Sequence, residues 1–410
     1  MRLTFLVLAL LVALPGCGDP GPPFDVEGEG GVPVDVAFFS DVPFVPVTHE
    51  DDPPRDFLLD TGSPATLLDP DAYALPEGNH HPERFSFLGI TALSPPLGVL
   101  DLFGDELEVG GILGGDVLRW FAVTVDYRAA QAVLYPALDG AVPDFGTDLA
   151  PAIQIGFALR GGGLLPLTPT DDLPVPATRI LVSLLLEGRV VQAVLDTGAS
   201  SVVLDEGLFD DLFTERPDRP LFHGLQVITV DGALDTELSR AATLSLQEAP
   251  QASQRTSVEI MTVRGSVALE SVSIEVGRQV DALLGGAYLR WFQTTLDYPA
   301  QVLTLRAYQT ADHVNPAEWQ TVGFTWVETA PGQVWVNTVY PDTHAETAGL
   351  QTGDRILTAG DHDIALVGRA GVEAAVDASA LGDRVPFTFD RDGAPYQADV
   401  EIEDLLPAFE

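Results

Sequence analysis

Two short motifs in this chain set an acid beside a hydroxyl and a glycine. Asp60-Thr61-Gly62-Ser63 follows the apolar run Phe57-Leu58-Leu59, and Asp196-Thr197-Gly198-Ala199 follows Ala193-Val194-Leu195. The apolar residues place each carboxylate at the end of a buried strand, and the glycine lets the backbone turn sharply with its amide aimed at the carboxylate. One such motif carries little information. Two in matching contexts predict that Asp60 and Asp196 meet, and two carboxylates at hydrogen-bonding distance do not both ionise easily. With one proton between them, the ionised member can take a proton from a trapped water while the other donates to a scissile carbonyl oxygen. That chemistry needs neither metal nor cofactor. Thr61 and Thr197 are placed to lock the two turns together through their hydroxyls.

The elements that would hold these turns also occur twice. Ile112-Leu113-Gly114-Gly115 leads to Leu118-Arg119-Trp120-Phe121 and Asp126-Tyr127, and Leu283-Leu284-Gly285-Gly286 leads to Leu289-Arg290-Trp291-Phe292 and Asp297-Tyr298. Two long units mean duplicated domains, since solenoids and propellers repeat three or more short ones. Apolar runs are short and rich in Val, Leu, Phe and Thr, and 39 glycines and 32 prolines punctuate them, so the fold class expected is all-β. The second unit is longer between its aspartate and its glycine, and loops are the expected place for the excess. Gly161-Gly162-Gly163 and the proline-rich stretch to Pro176 suit a connection between lobes.

With both motifs in view, the chain resembles the aspartic peptidases of the pepsin and retropepsin group over roughly residues 34 to 310. The resemblance implies two pseudo-twofold-related β lobes, residues 34–145 and 146–312, with Asp60 and Asp196 as the catalytic pair. It implies active-site loop support from Thr61, Gly62, Ser63, Thr197, Gly198 and Ala199, with Gly114 and Gly285 in the loops that back each turn. It also implies an endopeptidase acting on protein or peptide substrates, and a monomer, since one chain carries both halves. The family's flap hairpin has only a positional candidate, Phe85 to Pro96.

Beyond Arg306 the composition shifts. Ala348-Gly349-Leu350-Gln351-Thr352-Gly353-Asp354-Arg355-Ile356 resembles the PDZ domains of bacterial envelope proteases, which assigns residues 313–410 to a PDZ-like domain. There Val322-Gly323-Phe324-Thr325 matches the loop that takes a C-terminal peptide ligand, which adds as a β-strand. A rival reading makes the lobes a non-catalytic pseudo-peptidase scaffold that binds protein termini through this module.

At the other end, Arg2 precedes the apolar stretch Leu3 to Leu14, too short to span a bilayer. Leu14-Pro15-Gly16-Cys17 follows and resembles the lipobox of bacterial lipoproteins. The expectation is a signal peptide over residues 1–16, lipidation and membrane attachment at Cys17, a flexible tether over residues 17–33, and a place in the bacterial cell envelope facing periplasm or exterior. Cys17 is the sole cysteine, which excludes an intramolecular disulfide. The net charge is −41, and all 20 basic residues are arginine, so nucleic acid is excluded as a partner by phosphate repulsion. The same negative field is expected to disfavour ionisation of the aspartate pair further. His80-His81 lacks the further ligands of a metal site and reads as a solvated loop, and Asp361 and Asp363 lack an EF-hand loop around them.

Overall fold

The protein is described by a computed structural model at residues 4–5, 24–101, 109–136, 145–146, 148–229, 232–315 and 317–409. Cys17 and its lipobox lie outside the described residues. The fold is mostly β: two lobes built on related strand patterns, then a smaller module with a sheet of its own.

Each lobe centres on a strand that starts in solvent and ends in the core. In Arg55–Leu59 the first two residues are exposed and the last three buried, and Arg189–Leu195 likewise ends on three buried residues. The carboxylate that follows is therefore delivered to the interior. Gly111–Leu113 runs parallel to the first of these strands and pairs antiparallel with Leu67–Leu68. Ala282–Leu284 runs parallel to the second and pairs antiparallel with Val202–Leu204. Strand alternation that would expose half of each run is absent because both faces of these sheets are covered.

The lobes share a six-stranded sheet in the order Ile153–Gly156, Val302–Ala307, Phe292–Asp297, Ala122–Asp126, Gln131–Tyr135, Val34–Asp35. Its two central strands come one from each lobe and pair antiparallel about Thr124 and Thr295, whose hydroxyls hydrogen-bond at 2.7 Å. Equivalent residues thus face each other across the pseudo-twofold axis. A continuous apolar core runs beneath this sheet, drawing Phe57, Phe85 and Phe121 from lobe 1 and Leu184, Leu284 and Phe292 from lobe 2. Each such phenylalanine contributes roughly 1.5–3 kcal/mol by burial.

Several expectations are corrected. The tether is shorter than expected: Asp25–Glu27 pairs with Ile90–Leu93, and Phe24 is buried, so lobe 1 begins before residue 34. The candidate flap is no flap. Arg84–Phe87 and Ile90–Leu93 form a hairpin whose Phe85, Phe87, Ile90 and Ala92 are buried, because alternate apolar residues fix one face to the core. The excess length of lobe 2 lies in the strands Leu221–Thr229, Gly232–Leu246 and Arg255–Val263, which pair in succession, and in the helices Glu206–Glu215 and Ala268–Val276. His80 lies in the strand Gly78–His80, and its Nε2 meets Nε2 of the buried His49 at 2.9 Å.

The Gly-Pro stretch is likewise no bare connection. Gly163–Thr168 and Asp171–Val175 pair as a hairpin, with Leu165, Leu167, Leu173 and Val175 packed on Val42, Phe44, Leu58, Leu67 and Ile112 of lobe 1. Asp171 fixes it edgewise by accepting from the backbone N–H of Asn79 at 2.9 Å and from its side-chain amide at 2.7 Å. On lobe 2, the helix Ala268–Val276 helps to cover the corresponding face, through Leu269 and Val272.

The last module is a sheet in the order Phe324–Ala330, Gln333–Val339, Arg355–Ala359, Arg384–Arg391, Ala394–Glu401, with the helix Arg369–Asp377 beside it. It has its own core, which includes Phe324, Trp326, Ile356, Val372, Phe387 and Phe389. Past that sheet the chain returns to lobe 2. Glu403–Asp404 pairs with Gln320–Thr321, Leu406 enters the lobe-2 cluster, and Phe409 lies under the guanidinium groups of Arg216 and Arg219 at 4.4 and 4.6 Å.

Candidate active site

Asp60 and Asp196 emerge from their strands with no exposed surface. Each is gripped the same way. Asp60 Oδ1 accepts from the backbone N–H groups of Gly62 (2.7 Å) and Ser63 (2.9 Å), and Asp196 Oδ1 from those of Gly198 (2.9 Å) and Ala199 (3.1 Å). The Asp60 N–H donates to Leu113 O at 3.0 Å and the Asp196 N–H to Leu284 O at 3.1 Å, which ties each turn to the parallel strand behind it. The outer oxygens, Asp60 Oδ2 and Asp196 Oδ2, are both buried and receive no hydrogen bond from a donor group among the described residues, while the two acids interact with each other side chain to side chain. Unpaired buried carboxylate oxygens are costly, and they mark where a proton and a water belong.

Each turn packs on the acid of the other lobe. A Cβ on Gly62 would fall 2.2 Å from the Asp196 carboxyl carbon, and one on Gly198 would fall 2.5 Å from that of Asp60. Only glycine admits this approach. The threonines close the arrangement: Thr197 Oγ1 accepts from Thr61 N–H (3.0 Å) and donates to Leu59 O (2.6 Å), while Thr61 Oγ1 accepts from Thr197 N–H (3.1 Å) and donates to Leu195 O (3.0 Å). Gly114 and Gly285 lie behind the turns, where a side chain would strike Ala65 O at 2.0 Å and Ser201 O at 2.2 Å respectively. The structure thus brings together Asp60, Thr61, Gly62, Ser63, Gly114, Asp196, Thr197, Gly198, Ala199 and Gly285.

Burial pushes both acids up. Asp60 stands well above the carboxylate range through burial first and the charge of Asp196 second, and Asp196 is pushed up to about 6, again by burial first. Desolvation, rather than the net charge of the chain, leads the causes. Arg179 opposes the rise at both acids. It opens the strand Arg179–Leu186, is fully buried, and donates to Glu275 from Nη2 (2.9 Å) and Nε (3.1 Å). Tyr298, also buried, feels the charges of Asp60 and Arg179, and its pKa is pushed up by burial. The motifs gave no role to Arg179, Glu275 or Tyr298. A lone arginine heading an otherwise apolar strand, and the tyrosine of the repeated Asp-Tyr pair, were the available signals. Among the described residues no group of three or more His, Cys, Asp or Glu is placed to hold a metal ion.

The second site candidate is at the C-terminal module. Val322 and Phe324 are buried there, Gly323 O accepts from Tyr340 N–H at 2.9 Å, and in the edge strand Phe324–Ala330 Phe324 pairs with Val339 and Thr325 with Thr338. Residues 320–402 match the family model of the PDZ domain. This module is a PDZ domain. Its edge strand is tied to the helix Arg369–Asp377 by Glu328, which accepts from the Arg369 N–H at 3.2 Å. Between the PDZ domain and lobe 2 lies a cavity of about 120 Å³ lined by Leu225, Trp319, Phe324, Trp326 and Tyr340. Glu318 of the linker accepts from Arg290 Nη1 at 2.9 Å, and the same nitrogen reaches Asp41 of lobe 1 at 2.7 Å, so linker and both lobes meet at one arginine.

No curated protein matches the chain. Among solved structures, the aspartic proteinase from Irpex lacteus is similar at 13% identity and a TM-score of 0.43, over 69% of this chain and 99% of that one.

Proposed function

We propose that the chain is an aspartic endopeptidase, hydrolysing protein or peptide substrates with water activated between Asp60 and Asp196. The observation that carries this reading is the pair of buried carboxylates from opposed turns, each held at Oδ1 by two amides and each with Oδ2 lacking a donor group among the described residues. Because burial raises both acids and the charge of Asp196 raises Asp60 further, one proton remains in the pair over a range above the usual carboxylate values. The ionised member removes a proton from water, the protonated member donates to the carbonyl oxygen, and a tetrahedral intermediate forms with no covalent bond to the enzyme. Substrate must displace whatever shields the acids, since neither has exposed surface.

PDZ domains bind peptide ligands, and here Val322, Gly323, Phe324 and Thr325 are the segment proposed to take one. Attachment through a lipid on Cys17, on the outer side of a bacterial membrane, completes the reading. It rests on the lipobox-like Leu14-Pro15-Gly16-Cys17 after an apolar leader. The deciding experiment is cleavage of a mixed peptide library by the wild-type chain and by Asp60→Asn and Asp196→Asn. Loss of cutting in both variants supports the dyad, and cutting retained by either refutes it. Labelling with an acyl-chain probe, lost in Cys17→Ser, tests the anchor.

A further inference from the structure

Arg179 is anchored on one side and open on another. Its guanidinium donates to both oxygens of Glu275, from Nε and Nη2, while Nη1 is buried with no partner among the described residues. Side-chain exposure of the pair is 0% and 1%. A buried arginine with an unsatisfied edge is unfavourable unless a negative charge lies within reach.

Thr178, next to Arg179, packs across the lobe interface on Gly115, which is itself bonded to the Asp60 turn. A Cβ on Gly115 would fall 2.5 Å from Thr178 Cβ, and the Gly115 N–H donates to Ser63 O of that turn at 2.8 Å. Glu275 is equally placed. It projects from the helix Ala268–Val276 against Gly161, where a Cβ would meet its Oε1 at 2.3 Å, and it also receives the Gly162 N–H at 3.4 Å. One ion pair therefore joins the strand Arg179–Leu186, the helix that covers lobe 2 and the glycine loop that enters the hairpin packed on lobe 1.

We propose that Arg179, held by Glu275, is a positioning residue for the dyad's charge: it stabilises the single negative charge shared by Asp60 and Asp196 and so sets the pH range in which they can activate water. This rests on the peptidase reading for its consequence, though not for its electrostatics. Among the described residues, Arg179 acts on both acids of the dyad and Tyr298 interacts with Asp60. Facing Arg179 are the two aspartates, Tyr298 and Glu275, and Arg160 lies opposite it in the strand register with its own side chain exposed. Arg179 acts on both acids in the direction of ionisation, against burial.

The test is a pair of opposite shifts. Arg179→Met removes the cation, so both limbs of the pH–rate profile should move up by about one pH unit. Glu275→Gln leaves the cation uncompensated, so both limbs should move down. Arg179→Lys keeps the charge and should move them least. The same titrations are read without substrate by carbon-13 NMR of the aspartate carboxyls. If the wild-type chain cleaves no peptide, the peptidase reading fails, while the NMR titration still decides the role of Arg179. Should Arg179→Met not fold, Glu275→Gln alone gives the sign. Shifts in the same direction for the two variants, or none in either readout, overturn the proposal.

Discussion

Replacing Thr197 by valine keeps the shape of the side chain and its β-branch and removes one hydroxyl. In the structure that hydroxyl serves two backbone groups of lobe 1, the Thr61 N–H at 3.0 Å and the Leu59 carbonyl at 2.6 Å. Both lie at buried residues, where water cannot substitute. Each orphaned group costs about 1–3 kcal/mol, so Thr197→Val should lose about 2–6 kcal/mol. Thr61→Val orphans a separate pair, the Thr197 N–H and the Leu195 carbonyl, at 3.1 and 3.0 Å, and by the pseudo-twofold relation should lose a similar amount. Serine at either position retains the hydroxyl and gives up only a methyl group, about 1 kcal/mol.

Global unfolding of a chain with several hydrophobic cores does not isolate this term. Amide exchange over residues 57–63 and 193–199 does, because the opening free energy of those turns is read directly. Valine at either site should lower protection in both turns, including the one left unmutated. If valine and serine give equal protection, or if one valine variant is silent while the other is not, the reciprocal lock is not what holds the turns.

Gly62→Ala and Gly198→Ala should each lower kcat by about two orders of magnitude, since the new methyl group occupies carboxylate space and an ångström of misplacement is enough; library cleavage at saturating peptide measures it. Asp196→Asn should stabilise the fold at pH 7. Because the folded pKa is raised, the acid's contribution is fully present below its unfolded value near 3.8 and is lost as pH rises through about 6. Melting temperatures of variant and wild type should therefore converge below pH 4, and a gap independent of pH would contradict the assignment. Phe409→Ala removes the ring under Arg216 and Arg219 and should abolish exchange protection at the Phe409 amide, which donates to Ser257 Oγ at 3.0 Å, while leaving Arg384–Arg391 protected.

What could be read in the sequence follows from how locally each feature is encoded. The Asp-Thr-Gly turns are legible because an apolar strand, an acid, a hydroxyl and a glycine fall within seven residues, and each has one conformational consequence. Duplication made them legible twice, and Gly114 and Gly285 with them. The PDZ turns at Gly349 and Gly353 are local in the same sense, both at positive φ. The structure departs from the sequence pattern where proline and glycine read as punctuation. In Leu164 to Pro176 the prolines sit inside a two-stranded hairpin, outside any larger sheet, where a missing N–H is tolerated. The alternate residues Leu165, Leu167, Leu173 and Val175 bury a face whose partner, lobe 1, lies far back in the sequence.

Arg179 shows the limit most clearly, because its meaning depends on three elements distant from one another. Nothing near it in sequence is acidic, whereas in space it meets Glu275 and acts on Asp60 and Asp196. The two lobes repeat the strands and turns that bear the acids and differ in what covers them, a hairpin on lobe 1 and a helix on lobe 2. The anchor of the cation, Glu275, comes from that unrepeated part. Exact twofold symmetry would leave the acids equivalent. A single arginine anchored to the helix of one lobe breaks that equivalence, and on the peptidase reading a pair that holds one proton unequally between a donor and an acceptor needs such a break.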